Sequence, residues 1–476
     1  MNGAAVIQPS PIPFYTVLVL YLGIMAFIGW YAGRKTNNIG DFFVLSGKAG
    51  VVVSGIAYFS TDVCSSDLNA YPLRQSGKHM YNNTCSDNLC AHHRNQEEEH
   101  HHAQNTAHIL GVITICQVIS HGQKTIFMTK GNQLIGAGVI VHVFTGLPEW
   151  VGVVGMGIIV ILYCMTGGMK GAMMTDVIQG SLMIATAVVT FIVSIVMGGG
   201  FSNINHTLQS MNEAYLTFPG ANGYMPWTYY ISNIVLWSFF TMGQPHLFTK
   251  FFAMKDHKTM FKAILLGTAG MFFSATLIEW AGVNGIASIQ NIEKADQIIP
   301  MILQRGMNPF LASIFIAGIV AAGMSTIDGI LVTTTGAVTR DIYQKIINKD
   351  ATDEAVMKLS KVVTVIIGII VICFGVFQPG SIFEINLFAF SGMAIFVVPI
   401  LFGIYWKKAT AKGAIASVIV GIISLLLFTL NPSVKALAMG FHALFPTTII
   451  ASIVMIVVSK FTETPPQETI DRHFTV

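Results

Sequence analysis

Charged residues are scarce in this chain of 476 residues. Only 10% of the residues are Asp, Glu, Lys or Arg, and 53% are hydrophobic, whereas an ordinary soluble domain has roughly 25% charged residues. The formal net charge of +3 is too small for the basic surface of a nucleic-acid-binding protein. A soluble enzyme and a nucleic-acid partner are therefore excluded, and we expect no catalysis on covalent bonds.

Cysteine is also too sparse for a disulfide framework. Of the six Cys residues, Cys164 and Cys373 lie inside apolar runs and the other four share the stretch 62–132. Small secreted proteins that depend on disulfides have cysteines throughout a short chain. That class of protein is excluded as well.

Long uncharged apolar runs fill most of the chain. A helix needs about 20 apolar residues to cross the bilayer core, so these runs predict an all-α polytopic membrane protein. The first run lacks a cleavage site and is interpreted as a retained helix. The predicted spans are 14–32, 150–165, 172–197, 228–247, 262–287, 309–342, 359–377, 383–406, 413–430 and 441–458, with a truncated span at 51–61.

The distribution of Lys and Arg between the loops predicts the orientation. One set of loops holds 18 of the 26 basic residues, with Lys250 counted among them, and the opposite set holds only Lys294, Arg305 and Lys435. Basic loops face the cytoplasm. We therefore expect the N-terminus outside, the C-terminus in the cytoplasm, and a short cytoplasmic tail at 462–476.

The stretch 62–132 does not fit this pattern. It holds eight of the 14 His residues, and its opening, 62–68, resembles one reading frame of a widely used DNA sequencing adapter. We interpret the stretch as non-native, out-of-frame sequence that replaces helices of the core. The alternative is a non-transporting membrane protein with a metal-binding loop, whose ligands would be Cys85, Cys90, His92, His93 and the run 100–102.

One apolar helix carries a dense group of hydroxyls. Ala322, Ser325 and Thr326 lie at i, i+3 and i+4, so a carbonyl oxygen and two hydroxyls share one face. Hard oxygen ligands of this kind suit a small cation. The alternative is that the hydroxyls bond to the preceding turn or join neighbouring helices.

Asp176 is a carboxylate in an otherwise apolar region. A charge inside the membrane is costly, so Asp176 is a candidate functional residue with a cation or the hydroxyls above as its partner. The alternative is a partly hydrated carboxylate near a helix start, where the helix dipole favours negative charge.

Two further regions combine aromatic residues with a residue that weakens a helix, Pro245 in one and Gly392 in the other. Membrane helices tolerate such breaks where a site supplies other hydrogen bonds, although these residues can also serve only packing. The candidate solute contacts are Trp237, Ser238, Gln244, Phe390 and Ser391.

Three motifs in order resemble hallmarks of the sodium:solute symporter family. They are 166–168 with 175–179, then 321–326, then 341–343, and the resemblance covers 1–61 and about 133–460. It implies one transmembrane domain over 1–476 with the LeuT/APC-type fold. That fold has two inverted five-helix repeats and about 13 helices, of which core helices 1–3 are disrupted here. It also implies Na⁺-driven uptake by alternating access across a bacterial inner membrane.

The resemblance also implies the residues of a sodium site. Carried over by position, they are the carbonyl of Ala322, the hydroxyls of Ser325 and Thr326, a backbone carbonyl at Ser60, and the sodium-linked carboxylate Asp176. The second backbone position would be Val63, which lies inside the doubtful stretch. Asp328, one turn past Ser325, is expected either to approach the ion or to bond to a neighbouring helix.

The solute is indicated only by resemblance within the family. The segments 243–246, 387–390, 411–414 and 440–442 resemble the pantothenate and monocarboxylate branch. We therefore expect a small carboxylate as the solute, with proline or another amino acid as the alternative. The expected partners are this solute, Na⁺ and the lipid bilayer, with no obligate protein partner.

Overall fold

The structure is a computed structural model that describes residues 12–36, 39–62, 124–217, 226–240, 243–289, 297–377, 390–467 and 470. Most of the stretch 62–132 lies outside these ranges, and so do all of the alternative metal ligands from Cys85 to His102. Within the described ranges nearly all of the chain is helical, as predicted. The single β-bridge described there joins Ala49 to Met254.

Sixteen α-helices have bounds given below, and residues 390–394 are helical as well. Six of the described helical segments are long and apolar enough to cross a membrane. The helices are α1 (Ile12–Arg34), α2 (Ile39–Val44), α3 (Val51–Asp62), α4 (Lys124–Thr145), α5 (Glu149–Met197), α6 (Phe201–Met211), α7 (Trp227–Phe240), α8 (Pro245–Phe252), α9 (His257–Ser288), α10 (Ile298–Gly306), α11 (Pro309–Gly336), α12 (Asp353–Phe377), α13 (Val397–Tyr405), α14 (Ala411–Leu430), α15 (Pro432–Ala436) and α16 (Leu444–Lys460).

Helix α5 combines the two predicted spans 150–165 and 172–197. Its 49 residues would extend about 74 Å at 1.5 Å per residue, more than twice the roughly 30 Å of a bilayer core. The two halves meet at a kink at Gly168, where φ is 54° and ψ is −144°. A side chain there would also meet the carbonyl oxygen of Phe42 at 2.5 Å, so only glycine fits.

The predicted span 228–247 is wrong as a single helix. The structure ends α7 at Phe240 and begins α8 at Pro245, because proline has no N–H to continue the ladder and is favoured in the first turn of a new helix. Gln244 precedes α8 in an extended conformation. This break lies in a region predicted to contact the solute.

Helix α11 occupies the centre of the described bundle. In its most apolar window 78% of the residues are buried, compared with 28% to 39% in the other five long apolar segments. It packs against α5, α4, α1 and α3 and continues as a π-helix over Ala337–Ile347. A helix that is apolar on all sides belongs in such an interior position, so its hydroxyls are held away from lipid.

Candidate functional site

The hydroxyls of Ser325 and Thr326 meet the end of α3. Ser325 Oγ donates to the carbonyl oxygen of Ser60 at 2.6 Å, and Thr326 Oγ1 donates to the carbonyl oxygen of Thr61 at 3.0 Å. All four residues are buried. The structure thus brings the predicted residue Ser60 together with the predicted hydroxyls, across more than 260 positions of sequence.

The carbonyl oxygen of Ala322 lies in the same cluster. It is 3.1 Å from Ser325 Oγ and 3.2 Å from Thr326 Oγ1. Each hydroxyl is therefore shared between its own helix and α3, which also fits the alternative of helix-joining hydroxyls. The cluster contains two hydroxyl and three carbonyl oxygens, the hard ligands that a small cation prefers.

Asp176 is paired with Lys250. The Lys250 Nζ atom lies 2.6 Å from Asp176 Oδ2, and both side chains have no exposed surface. Lys250 also donates to the hydroxyl of Thr61 and, at 3.4 Å, to the carbonyl oxygen of Ala57. A buried carboxylate needs such a cationic partner, and a cation was one of the two partners expected.

Two sequence interpretations are corrected by this pair. Lys250 is not a loop residue, because it lies on α8 and is fully buried, so 17 of the 18 basic residues remain as evidence for orientation. Asp176 is not a partly hydrated carboxylate at a helix start, because α5 begins at Glu149 and Asp176 is fully buried.

Thr61 connects the ion pair to the hydroxyl cluster. Its hydroxyl accepts from Lys250 and its carbonyl oxygen accepts from Thr326. Ser60 packs against Gly180, one turn past Asp176 on α5, where an added methyl group would lie 3.2 Å from Ser60 Cβ. Four helices, α3, α5, α8 and α11, therefore meet at one polar centre inside the apolar bundle.

Asp328 bonds to a neighbouring helix, one of the two roles expected for it. The hydroxyl of Tyr163 on α5 donates to Asp328 Oδ2 at 3.0 Å. Nearby, Gln179 donates to the hydroxyl of Tyr21 at 3.2 Å, and Tyr21 lies 3.6 Å from the sulfur of Met324. This second group of buried polar side chains joins α1, α5 and α11.

The two regions predicted to contact the solute pack against each other. A side chain at Gly243 would collide with the backbone carbonyl of Met393, so the break before α8 touches the segment before α13. Gln244, Phe390 and Ser391 are buried. Gln244 follows Gly243 in the sequence, and Phe390 and Ser391 lie two or three residues before Met393. The side chains of Trp237 and Ser238, also predicted to contact the solute, lie outside the described part of the structure.

Sequence reasoning missed Lys250 and Thr61 as members of the polar centre, and Gln179 as a member of the second group. Lys250 had one local indication, since a lysine directly before Phe251 and Phe252 is unusual in a hydrated loop. Thr61 and Gln179 are ordinary polar residues in a helical pattern. Only the packing of distant helices brings them into these two groups.

The chain is similar to known transporters. The model of the sodium:solute symporter family matches residues 105–421, a match that begins inside the stretch 62–132. A sodium/pantothenate symporter of Escherichia coli (strain K12) is 31% identical over 341 residues, which cover 71% of this chain and 70% of the relative. An osmoregulated proline transporter of Bacillus subtilis (strain 168) is 24% identical and covers 94% of both chains.

Two solved structures share the fold. A Na⁺-coupled sialic acid symporter in a substrate-bound outward-open state has a TM-score of 0.74 at 18% identity, covering 96% of this chain and 99% of that one. A nucleobase-cation-symport-1 family transporter has a TM-score of 0.51 at 12% identity, covering 92% and 100%. These likenesses confirm the LeuT-type transporter fold with its inverted repeats.

Proposed function

The chain belongs to the sodium:solute symporter family, and from this membership we propose that it imports a small organic carboxylate, with pantothenate as the first candidate. It is a multi-pass membrane transport protein with Na⁺ as the coupling ion. Its solute is a small organic molecule. We also propose which residues bind the sodium ion and which side of the membrane each terminus faces.

The hydroxyl and carbonyl cluster between α3 and α11 is the observation on which the proposal rests. Hydrogen bonds link Ser325 to Ser60 and both Ser325 and Thr326 to Ala322, and Asp176 lies one turn before Gly180, against which Ser60 packs. Each hydroxyl proton now points to a carbonyl oxygen. Rotation of the hydroxyls would turn their lone pairs toward a sodium ion without any movement of the backbone.

The solute is proposed to bind where the break before α8 meets the segment before α13. Gln244 lies directly before the first turn of α8, where the positive end of the helix dipole favours an anion. Phe390 and Ser391 supply an apolar surface and a hydroxyl from the facing segment. A carboxylate solute suits this arrangement, and the relative from E. coli supports pantothenate.

Proline is the second candidate solute. It also carries a carboxylate, and the proline transporter of B. subtilis matches this chain over 94% of both lengths. Its identity of 24% is lower than the 31% of the pantothenate relative. We therefore place proline second.

We also propose that the N-terminus faces outside and the C-terminus faces the cytoplasm. The remaining 17 basic residues of the predicted cytoplasmic loops support this orientation. A cysteine introduced at Lys435 should react with a membrane-impermeant maleimide in intact cells, and one at Lys408 should not. The reverse pattern of labelling would refute the orientation.

The proposed ion site is tested by the variants Ser325→Ala and Thr326→Ala. A hydrogen bond or ligand contact to a charged group contributes about 1.5–3 kcal/mol, so each variant should raise the Na⁺ concentration for half-maximal uptake by about 10- to 150-fold. The assay is uptake of labelled solute into membrane vesicles over a series of Na⁺ concentrations.

Ser313→Ala is the matched control. Ser313 is a buried serine on the same helix whose hydroxyl bonds back to Pro309 at 2.6 Å, about 18 Å along the axis from Ser325 at 1.5 Å per residue. Its Na⁺ dependence should equal that of the unaltered protein. Unchanged Na⁺ dependence in both Ser325→Ala and Thr326→Ala would exclude these hydroxyls as ligands.

A further inference from the structure

Lys250 is a buried cation next to the proposed sodium site. Its ammonium group uses its three donors on Asp176, the hydroxyl of Thr61 and the carbonyl oxygen of Ala57. It also packs against α11 at Gly329, where an added methyl group would lie 3.7 Å from Nζ. Gly329 is four residues past Ser325, which is about 6 Å along the helix axis.

Lys250 and a sodium ion would share the same groups. Asp176 is the carboxylate of the ion pair and also one of the proposed sodium ligands. Thr61 accepts from Lys250 through its hydroxyl, and its carbonyl oxygen lies in the hydroxyl cluster. Two positive charges that share one carboxylate inside a bundle repel each other far more strongly than they do in water.

The second oxygen of Asp176 is the free ligand at this centre. Asp176 Oδ1 is buried and has no hydrogen-bond partner, although Oδ2 is held by Lys250 at 2.6 Å. A carboxylate normally engages both oxygens when it is buried. The centre therefore has one unfilled acceptor on the group that carries its negative charge.

We propose that Lys250 is a tethered cation that competes with sodium for Asp176 and thereby sets the sodium affinity of the transporter. This inference rests on the proposed sodium site. Without sodium, Lys250 neutralises Asp176 and joins α8 to α3 and α5. With sodium bound, repulsion between the two cations weakens the ion pair between Lys250 and Asp176. The same repulsion promotes release of the ion. A transport site must bind its ion weakly enough to let it leave.

The test is equilibrium binding of ²²Na⁺ to the purified full chain in detergent, which requires neither transport nor a known solute. Lys250→Met removes the competing charge, so the dissociation constant for Na⁺ should fall at least about tenfold. Lys250→Gln, which keeps a donor for Asp176 but carries no charge, should show the same change. If the apolar side chain of Lys250→Met prevents folding, Lys250→Gln still tests the inference.

Two controls separate competition from a general effect of charge or packing. The double variant Lys250→Met with Asp176→Asn removes the carboxylate for which the two cations compete, so the gain in ²²Na⁺ affinity seen in Lys250→Met should be lost. Lys170→Met removes a lysine charge from α5 at an outer position, where Nζ bonds to the carbonyl oxygen of Lys35. It should leave Na⁺ binding unchanged.

Equal or weaker ²²Na⁺ binding in Lys250→Met and Lys250→Gln, with both proteins monodisperse, would overturn the inference. So would an absence of binding in all forms of the protein. A failure of the proposed function would look different, because ²²Na⁺ binding would strengthen in the variants although the unaltered protein showed no Na⁺-dependent uptake.

Discussion

At the scale of single residues, the ion pair between Lys250 and Asp176 has the largest energetic consequence. Both side chains are fully buried, and removing one partner of a buried pair leaves a charge without compensation, at a cost of about 3–5 kcal/mol. Asp176→Asn should therefore unfold at a clearly lower temperature than the unaltered protein. The measurement is thermal unfolding of the purified protein in detergent without Na⁺.

The double variant Asp176→Asn with Lys250→Met should regain most of that stability, because it removes both charges together. A melting temperature of Asp176→Asn equal to that of the unaltered protein would contradict the buried pair. A double variant less stable than Asp176→Asn would show that the two side chains do not act as a pair.

Part of the residue-level site could be predicted. The spacing of Ala322, Ser325 and Thr326 places three oxygens on one helix face, and helix periodicity is a local property of the sequence. The role of Lys250 could not be predicted, because its partner Asp176 lies 74 positions away and the span was expected to end at 247. The contact depends on how α8 packs against α11 and α3, which no local pattern encodes.

At the scale of elements, broken helices position the site. The kink at Gly168 turns α5 so that Asp176 lies in its second half, and the break between α7 and α8 places Lys250 on a short helix directly after Gln244. Helix α8 therefore links the proposed solute region to the ion pair. A movement of α8 on solute binding would reach Asp176 directly, which is a physical route for coupling.

The contact between Gly243 and Met393 is the element-level feature that a variant can test. A methyl group at position 243 would collide with the Met393 carbonyl, and overpacking of this kind costs about 1–3 kcal/mol. Gly243→Ala should raise the Michaelis constant for the solute by about 5- to 150-fold. The Na⁺ concentration for half-maximal uptake should change by less than about threefold.

Gly403→Ala is the control for this variant, because nothing lies within 4 Å of a side chain added there. Its solute dependence should match that of the unaltered protein. If Gly243→Ala leaves the Michaelis constant unchanged, the break before α8 does not line the solute site.

The helices were predicted better than their breaks. Apolar runs identify α1, α9, α12 and α14 to within a few residues, because crossing a bilayer requires a minimum apolar length. The break at Gly243 and Gln244 was missed because apolar residues continue on both sides of it. Pro245 was recognised as a weak point but not as the start of a new helix.

At the scale of the whole molecule, the stretch 62–132 is the feature most at odds with the rest of the chain. The second proposed backbone ligand, Val63, falls inside it, whereas the described helices on either side keep the fold of the family. We propose that the stretch is not part of the native protein. Sequencing the gene from source DNA across the codons for Gly55 to Ile140 should reveal intact apolar helices there.

Recovery of the same His- and Cys-rich sequence from source DNA would contradict that proposal. A zinc measurement on the purified protein would then decide whether the stretch binds metal. Stoichiometric zinc would favour the alternative of a membrane protein with a metal-binding loop. The transport assays are therefore performed on the protein that the source gene encodes.

The most direct test of the account is uptake of labelled pantothenate by right-side-out vesicles with and without an inward Na⁺ gradient, with unlabelled proline as a competitor. The account predicts uptake that requires the gradient, is saturable in Na⁺, and is inhibited by unlabelled pantothenate but not by proline. Inhibition by unlabelled proline would favour proline, the second candidate, as the solute. Uptake that is independent of Na⁺, or no uptake of labelled pantothenate and, in a parallel assay, of labelled proline, would contradict sodium-coupled transport of a small carboxylate.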